Sequence, residues 1–267
     1  MPTLHLQTES QMLQRLTDEW SLVLRNLRGR LGLRDPRAQG HVVVKNVLPP
    51  ATFSKIKQIL QEEKSRSVEQ NSFFRRGSAF DGTDLRANCP EVVDALVSDD
   101  LLRAAREQSG ISELCFVPDG DVNQISLLHY RNAGDGIGWH VDGNIYIGQR
   151  WAGILTIEER TEDPHSKLEL RPNGQPVTFP VSEIENTLIL FQGDQVQHRV
   201  RPMADGEERL VINLLLTTNP RQSVNPFMKG YQSLVNYFFY GRLRSGFQIQ
   251  EEKHASNTPQ ICDTKSQ

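Results

Sequence analysis

The chain has only three cysteines in 267 residues, Cys89, Cys115 and Cys262, and no two of them form a CxxC pair. This excludes a disulfide-stapled scaffold and a cysteine-rich structural zinc site, and it fits a reducing compartment. There is no excess of positive charge either: 30 Lys and Arg face 33 Asp and Glu, for a net charge of -3. No general basic field therefore draws the protein to nucleic acid. No apolar run approaches the roughly 20 residues needed to span a bilayer. The opening MPTLHLQTES lacks the basic start and apolar stretch of a secretory signal. These absences lead to the expectation of a cytoplasmic protein with neither a membrane nor a nucleic-acid partner. Hydrophobic residues make up 37% of the chain and mean hydropathy is -0.49, enough for one sizeable core at this length.

What is present divides into a helical half and a β-rich half. From about Thr8 to Leu33, Met12, Leu13, Leu16, Trp20, Val23, Leu24 and Leu27 recur every three or four residues. That pattern predicts an amphipathic helix with its stripe against the core. HVVVKNV, residues 41–47, reads as a strand, and two prolines then open a helix over 51–63. Residues 65–87 read as a polar surface loop containing Phe73, Phe74, Arg75, Arg76 and Phe80, a composition that also suits a substrate lid. A single helix is expected over 90–110. From about residue 123 come QISLLHY, WHVDGNIYI, WAGILTI, KLEL, TFPV, TLILF, VQHRV and ERLVINLLL, separated by Gly, Pro, Asn and Asp. Eight short strands after a helical half predict an α+β chain with a jelly-roll core. The expected organisation is one domain over 1–250: helical support to about 122, the β core over 123–220, and a closing helix over 226–244. Aromatics of that last helix, Tyr231, Tyr237 and Phe238, suit core packing or a homodimer contact. The tail 251–267 is polar and expected to be disordered.

The most informative residues are His140 and Asp142, followed by His198 and then Arg209. Two imidazoles and one carboxylate can hold Fe(II) on one triangular face and leave the opposite positions open. Residues two apart on a strand project to one face, so His140 and Asp142 can reach one ion, and the sheet can bring His198 alongside. Arg209 offers a planar fork for a carboxylate. A lone H-x-D pair is weak, but the full set in strand-like surroundings is not. The alternative, polar residues satisfied on a sheet, suits any single histidine but not the combination.

The segments GIGWHVDGNIYIGQRWAGILTIEE and ILFQGDQVQHRVRPMADGEERLVINLLL resemble the Fe(II)/2-oxoglutarate-dependent dioxygenases, in particular their prolyl-hydroxylase-like branch. The resemblance covers roughly residues 40–220. It implies a double-stranded β-helix, the jelly-roll variant of that family, with iron on His140, Asp142 and His198. It further implies 2-oxoglutarate as cosubstrate, its distal carboxylate on Arg209, dioxygen as oxidant, and ascorbate to keep the iron ferrous. Tyr130 falls where similar enzymes carry a tyrosine near the cosubstrate, and Thr156 where many place a tyrosine assisting the arginine. Asn144 is two residues beyond Asp142 and could bond a ligand or the cosubstrate. Asn213 alternates with Arg209 and would point inward. Arg150 could meet an anionic substrate group, and Phe74 and Arg75 could line the mouth of the site. Trp139 alternates away from the iron face and suits packing.

The chemistry implied is oxidation of an unactivated C–H bond of a small molecule, an amino acid or secondary metabolite, with release of succinate and CO2. Desaturation, oxidative cyclisation or ring rearrangement would use the same cofactors, and a peptidyl prolyl or lysyl residue is an alternative substrate. Halogenation is disfavoured because Asp142 fills the place a halide would need. A nucleic-acid demethylase is disfavoured because Leu215 stands where such enzymes carry a second arginine. A β-sandwich binding module without activity would require a damaged site, whereas the ligand set and Arg209 are all present.

Overall fold

The computed structural model describes residues 3–33, 40–71 and 75–230. Phe74, residues 231–244 of the expected closing helix and the tail 251–267 lie outside the described residues; residues 226–230 are helical. The helical part comprises α1 (Thr3–Arg30), α2 (Pro50–Glu63), α3 (Gly82–Asn88), α4 (Pro90–Leu96) and α5 (Asp99–Ser109). Early strands are β1 (His41–Lys45), β2 (Val68–Asn71), β3 (Arg75–Phe80) and β4 (Cys115–Phe116). There follow β5 (Ile125–Tyr130), β6 (Gly136–His140), β7 (Arg150–Arg160), β8 (Leu168–Arg171), β9 (Thr187–Phe191), β10 (Gln197–Val200) and β11 (Glu208–Thr217).

The eleven strands among the described residues belong to one antiparallel sheet in the order β1-β9-β7-β11-β5-β3-β6-β10-β8, with β2 on β3 and β4 on β11. The sheet curls so that its two ends face each other. Ala152 of β7 and Ile189 and Phe191 of β9 pack against Leu168 and Leu170 of β8, and Tyr130 of β5 packs against Ile137 of β6 and Val200 of β10. This is the double-stranded β-helix, or jelly roll, that the strand pattern predicts. The other face of the larger layer is covered by helices: Leu155, Ile157, Leu188, Leu190, Leu210 and Ile212 share a core with Phe53 and Ile56 of α2 and Leu101 of α5. Covering on both faces explains why β9 and β11 read as near-continuous apolar runs rather than alternating ones.

Several expectations are corrected. The stretch 65–87 is not a loop: it holds the β2–β3 hairpin and α3, and β3 lies between β5 and β6 inside the sheet. Arg75 and Ser78 are buried within it, and Arg75 Nη2 donates to Ser78 O at 3.0 Å; Gly77 adopts φ +138 where a Cβ would press 3.0 Å from the Tyr130 ring. The helix expected over 90–110 is broken at Val97; Ser98 caps α5 by accepting from Leu101 N. TFPV forms no named strand, only bridges from Val177 and Pro180 and a 3-10 turn over Val181–Glu183. The segment WHVDGNIYI leaves the sheet at His140.

The largest correction concerns α1. Its stripe does not face the core: Met12, Leu13, Leu16, Trp20, Leu24 and Leu27 are all exposed, while Leu22, Asn26 and Gly29 are the buried positions among its described residues. Amphipathic spacing identifies an apolar face but not what covers it. The body-facing side of α1 is largely polar and attaches by hydrogen bonds.

At the far end of β11, Glu208 collects Lys64 Nζ at 2.6 Å, His129 Nε2 at 2.8 Å and Arg160 Nη2 at 2.9 Å. Burial opposes ionisation of Glu208, but Lys64 and His129 outweigh it and hold the carboxyl down at about 2. A depressed acid contributes stability above its unfolded value, and that contribution is lost as pH falls through the folded one. Glu208→Gln is therefore expected to lower the melting temperature at pH 7, by about 2–4 °C per kcal/mol lost. The gap to wild type should close as pH falls from 4.5 towards about 2. A pH-independent gap in thermal melts would contradict this account.

Candidate metal centre

His198 on β10 stands directly opposite His140 on β6 in the strand register, which places two imidazoles side by side with ring centroids 4.1 Å apart. Asp142 lies just beyond β6, so strand alternation alone does not place it. Its backbone N–H donates to Gly193 O at 2.8 Å, and this bond sets the loop against the turn after β9. Asp142 Oδ1 then lies 3.8 Å from His140 Nε2 and 3.7 Å from His198 Nε2. One ligand atom from each of the three residues falls within 4.8 Å of the others, close enough to share one ion.

The ring orientation suits ligation. His140 Nδ1 faces Gly138 O at 2.8 Å and His198 Nδ1 faces Val196 O at 2.9 Å. A carbonyl can only accept, so both Nδ1 atoms carry the proton, and each Nε2 is the unprotonated nitrogen that a metal would use. The carboxylate is also divided. Oδ2 accepts from Arg150 Nε at 3.2 Å while Oδ1 faces the imidazoles. Burial disfavours the charge on Asp142, yet Arg150 and the two histidines hold its pKa below the usual range. Burial pushes His198 down to about 4, so its ring is neutral at physiological pH. Glycine at 193 is a steric requirement, since a Cβ there would lie 2.3 Å from Asp142 Oδ2.

The proposed carboxylate clamp is also inside the roll. Arg209 is 1% exposed, and its Nε donates to Glu159 Oε2 at 3.0 Å. Its Nη2 is buried without a hydrogen-bond partner, as is Thr156 Oγ1. Leu210 and Ile212 point to the helix side, so Arg209 and Val211 point inward, and Thr156 lies opposite Val211. Two buried donors left open on one inner face fit a bound carboxylate, because such groups rarely stay unsatisfied. Tyr130 is opposite Arg209 on β5 and is also buried.

The remaining sequence-selected residues divide. Asn144 is turned away from the metal. Its Nδ2 donates to Gly148 O and Asp194 Oδ2, and its Oδ1 accepts from Tyr146 N, so its amide is committed to the loop. Arg150 pairs with Asp142 rather than standing free for a substrate anion. Arg75 is buried, donates to Ser78 O at 3.0 Å and lies 5.9 Å from the Tyr130 ring centroid. It is therefore not a residue of a mouth loop. Asn213 is half-buried opposite Ser126. Trp139 does turn away from the ligands, but its ring meets the guanidinium groups of Arg171 and Arg199, whose carbons lie 3.8 and 4.7 Å from the ring centroid, rather than a core.

Three contributors escaped the sequence reading. Glu159 fixes the Nε edge of Arg209, and the Glu158–Glu159 pair closing an apolar run was a signal that one carboxylate has a buried partner. Gly193 was visible only as a glycine after β9. Asp194 is buried with its pKa raised to about 6, burial being the main cause. It joins Asn144 to Arg25 of α1, a contact across the chain that no local pattern reveals.

No family model matches the sequence, and no curated protein matches it. The fold has clear counterparts among solved structures. The α-ketoglutarate-dependent epimerase SnoN from nogalamycin biosynthesis is 14% identical, with a TM-score of 0.54 over 75% of this chain and 85% of that one. A prolyl hydroxylase from Trichoplax adhaerens, bound to a fragment of hypoxia inducible factor, is 18% identical, with a TM-score of 0.51 over 77% and 93%. A 2OG-Fe(II) oxygenase from Burkholderia pseudomallei is 12% identical, with a TM-score of 0.53 over 70% and 89%. The chain thus has the fold of the 2OG-Fe(II) oxygenases, and the His140, Asp142 and His198 cluster sits within it. No described helix is long and apolar enough to cross a membrane.

His198→Ala and Asp142→Ala should each abolish stoichiometric binding of Fe(II), or of Co(II) as a spectroscopic substitute, with little change in melting temperature of the metal-free protein. Arg150→Met, which frees Asp142 Oδ2, should weaken metal binding by roughly 10–100-fold. Full metal occupancy in His198→Ala would show that the ligands lie elsewhere.

Proposed function

We propose that the protein is an Fe(II)- and 2-oxoglutarate-dependent oxygenase that oxidises an unactivated C–H bond of a small molecule, an amino acid or secondary metabolite. The observation that carries this reading is the cluster of two Nε2 atoms and one carboxylate oxygen, combined with the open buried donors of Arg209 and Thr156. A two-histidine, one-carboxylate face suits ferrous iron with positions left for reactants. Bound there, iron and 2-oxoglutarate would supply activation of dioxygen coupled to decarboxylation, with ascorbate keeping the metal ferrous.

The chain's own residues have defined parts in this reading. His140, Asp142 and His198 hold the ion. Gly138 O and Val196 O fix the ring tautomers, and Arg150 keeps Asp142 ionised and turned. Arg209 would take the distal carboxylate of the cosubstrate through the guanidinium edge that Glu159 leaves open. Thr156 would add a hydroxyl donor, and Tyr130 would close the side opposite Arg209. Phe191, whose ring is 4.7 Å from that of His198, would give the ion an apolar wall that limits water beside it.

The outcome after C–H activation is set by how substrate is held, not by the fold. SnoN is an epimerase and the Trichoplax enzyme a prolyl hydroxylase. SnoN, from nogalamycin biosynthesis, is a precedent on this fold for a small-molecule substrate, as the Trichoplax enzyme is for a peptidyl one. Hydroxylation is the first expectation; desaturation or ring closure would share every residue named above. A screen of amino acids, metabolite extracts and proline- or lysine-containing peptides, with succinate release as readout, tests the class. Product mass then separates gain of one oxygen from loss of two hydrogens.

Arg209→Ala should leave metal content unchanged and weaken the apparent affinity for 2-oxoglutarate by roughly 30- to 5000-fold, the range for truncating one side of a buried charged contact. Arg209→Lys should recover part of that loss, since an ammonium supplies the charge but not the fork. An unchanged 2-oxoglutarate affinity in Arg209→Ala would overturn the clamp assignment.

A further inference from the structure

Helix α1 carries two faces with different partners. Leu22, Arg25, Asn26 and Gly29 face the protein body. Asn26 exchanges two hydrogen bonds with the Asn144 backbone, Arg25 donates to Ile147 O and pairs with Asp194, and a Cβ at Gly29 would collide with Asp194 O. At 100° per residue, the exposed stripe lies on the opposite side of the helix. It comprises Leu13, Leu16, Trp20, Leu24, Leu27 and, one residue past the helix end but still bonded to Leu27 O, Leu31, which are 62%, 51%, 66%, 47%, 51% and 61% exposed, with Met12 beside them at 59%. Their free apolar area is on the order of 700 Å2, comparable with the roughly 800 Å2 each partner gives to a stable interface, and scattered surface leucines do not form such a row. Val224, fastened to α1 by its N–H on Glu19 Oε1, is exposed as well, as is Phe227.

The stripe has a further property. Its six main residues are arranged almost symmetrically about position 22, with Trp20 and Leu24 nearest the centre, Leu16 and Leu27 next, and Leu13 and Leu31 outermost. A row symmetric about its midpoint is self-complementary when a second copy is rotated by two-fold symmetry, which makes the two helices antiparallel. Their dipoles then oppose favourably, and the three- and four-residue spacing provides knobs-into-holes packing.

We propose that the α1 stripe is a homodimer interface: a second copy of this chain packs its α1 antiparallel, Leu13 against the partner's Leu31, Leu16 against the partner's Leu27, and Trp20 against the partner's Leu24. The surface is separate from the metal centre, yet α1 is attached on its other side to Asn144 and Asp194, so the dimer would brace the loop that carries Asp142.

Sedimentation or light scattering of the full chain at about 10 μM, a concentration at which interfaces of this size are populated, should give twice the 30.3 kDa monomer mass. Trp20→Glu combined with Leu24→Glu should give monomer with an unchanged melting profile of the metal-free protein, because both side chains are exposed. In a Cys262→Ser background, a mixture of Leu13→Cys and Leu31→Cys chains should cross-link under mild oxidation while neither does so alone. A monomeric wild type would overturn the proposal, because the stripe would then be covered by the chain's own residues or by nothing. A dimer that survives the double glutamate variant would overturn it too, placing the contact elsewhere, for example on the C-terminal segment. Cross-linking by Leu13→Cys alone would exclude the antiparallel arrangement.

Discussion

The backbone bond from Asp142 N–H to Gly193 O is the constraint on which the site depends. It joins the end of β6 to the turn after β9, two segments about 50 residues apart. The register of β10 on β6 sets the histidines opposite one another, but the carboxylate arrives only because its loop is held at this point. Gly193 contributes twice, through a carbonyl that accepts and through the lack of a Cβ that would occupy the place of Asp142 Oδ2. Outside that bond lies a buried relay: Asp194 takes a hydrogen bond from Asn144 and the charge of Arg25, so the metal loop is tied in turn to α1.

The chemistry was more legible than the shape around it. His140, Asp142, His198 and Arg209 stand out because ligand sets and carboxylate clamps require particular atoms, and few residue types supply them. Six of the eight strands expected after residue 123 extend over most of their predicted length, since apolar runs bounded by Gly, Pro and Asn leave few alternatives. Positions defined by long-range closure were not legible. Asn144 shares the spacing of a ligand neighbour, yet the loop turns its amide into structural bonds. Arg150 looks like a free cation until Asp142 is brought beside it. β3 was hidden because Arg75, Arg76 and Gly77 do not look like a central strand. By contrast, the break before α5 had a visible cue, a serine followed by two aspartates, which is how helices begin.

Helix α1 shows the limit of periodicity most directly. Its stripe predicts a helix correctly and a partner incorrectly, because hydrophobic spacing has no direction in space. Beside Leu22, the residues that attach α1 to the body include Arg25, Asn26 and Gly29, a cation, an amide and a missing side chain, and none of these three registers in an apolar pattern. The helix therefore serves as a polar buttress on one side and offers a separate apolar surface on the other.

The division of labour on Asp142 has a stoichiometric consequence. With Oδ2 engaged by Arg150 and Oδ1 facing the two imidazoles, the carboxylate is turned to offer one oxygen rather than two. Among the described residues, His140, Asp142 and His198 would then offer three atoms to an ion held there, and a metal that takes six ligands would keep positions for exchangeable molecules. A guanidinium that does not itself face the ion would thus govern how many places around it stay open.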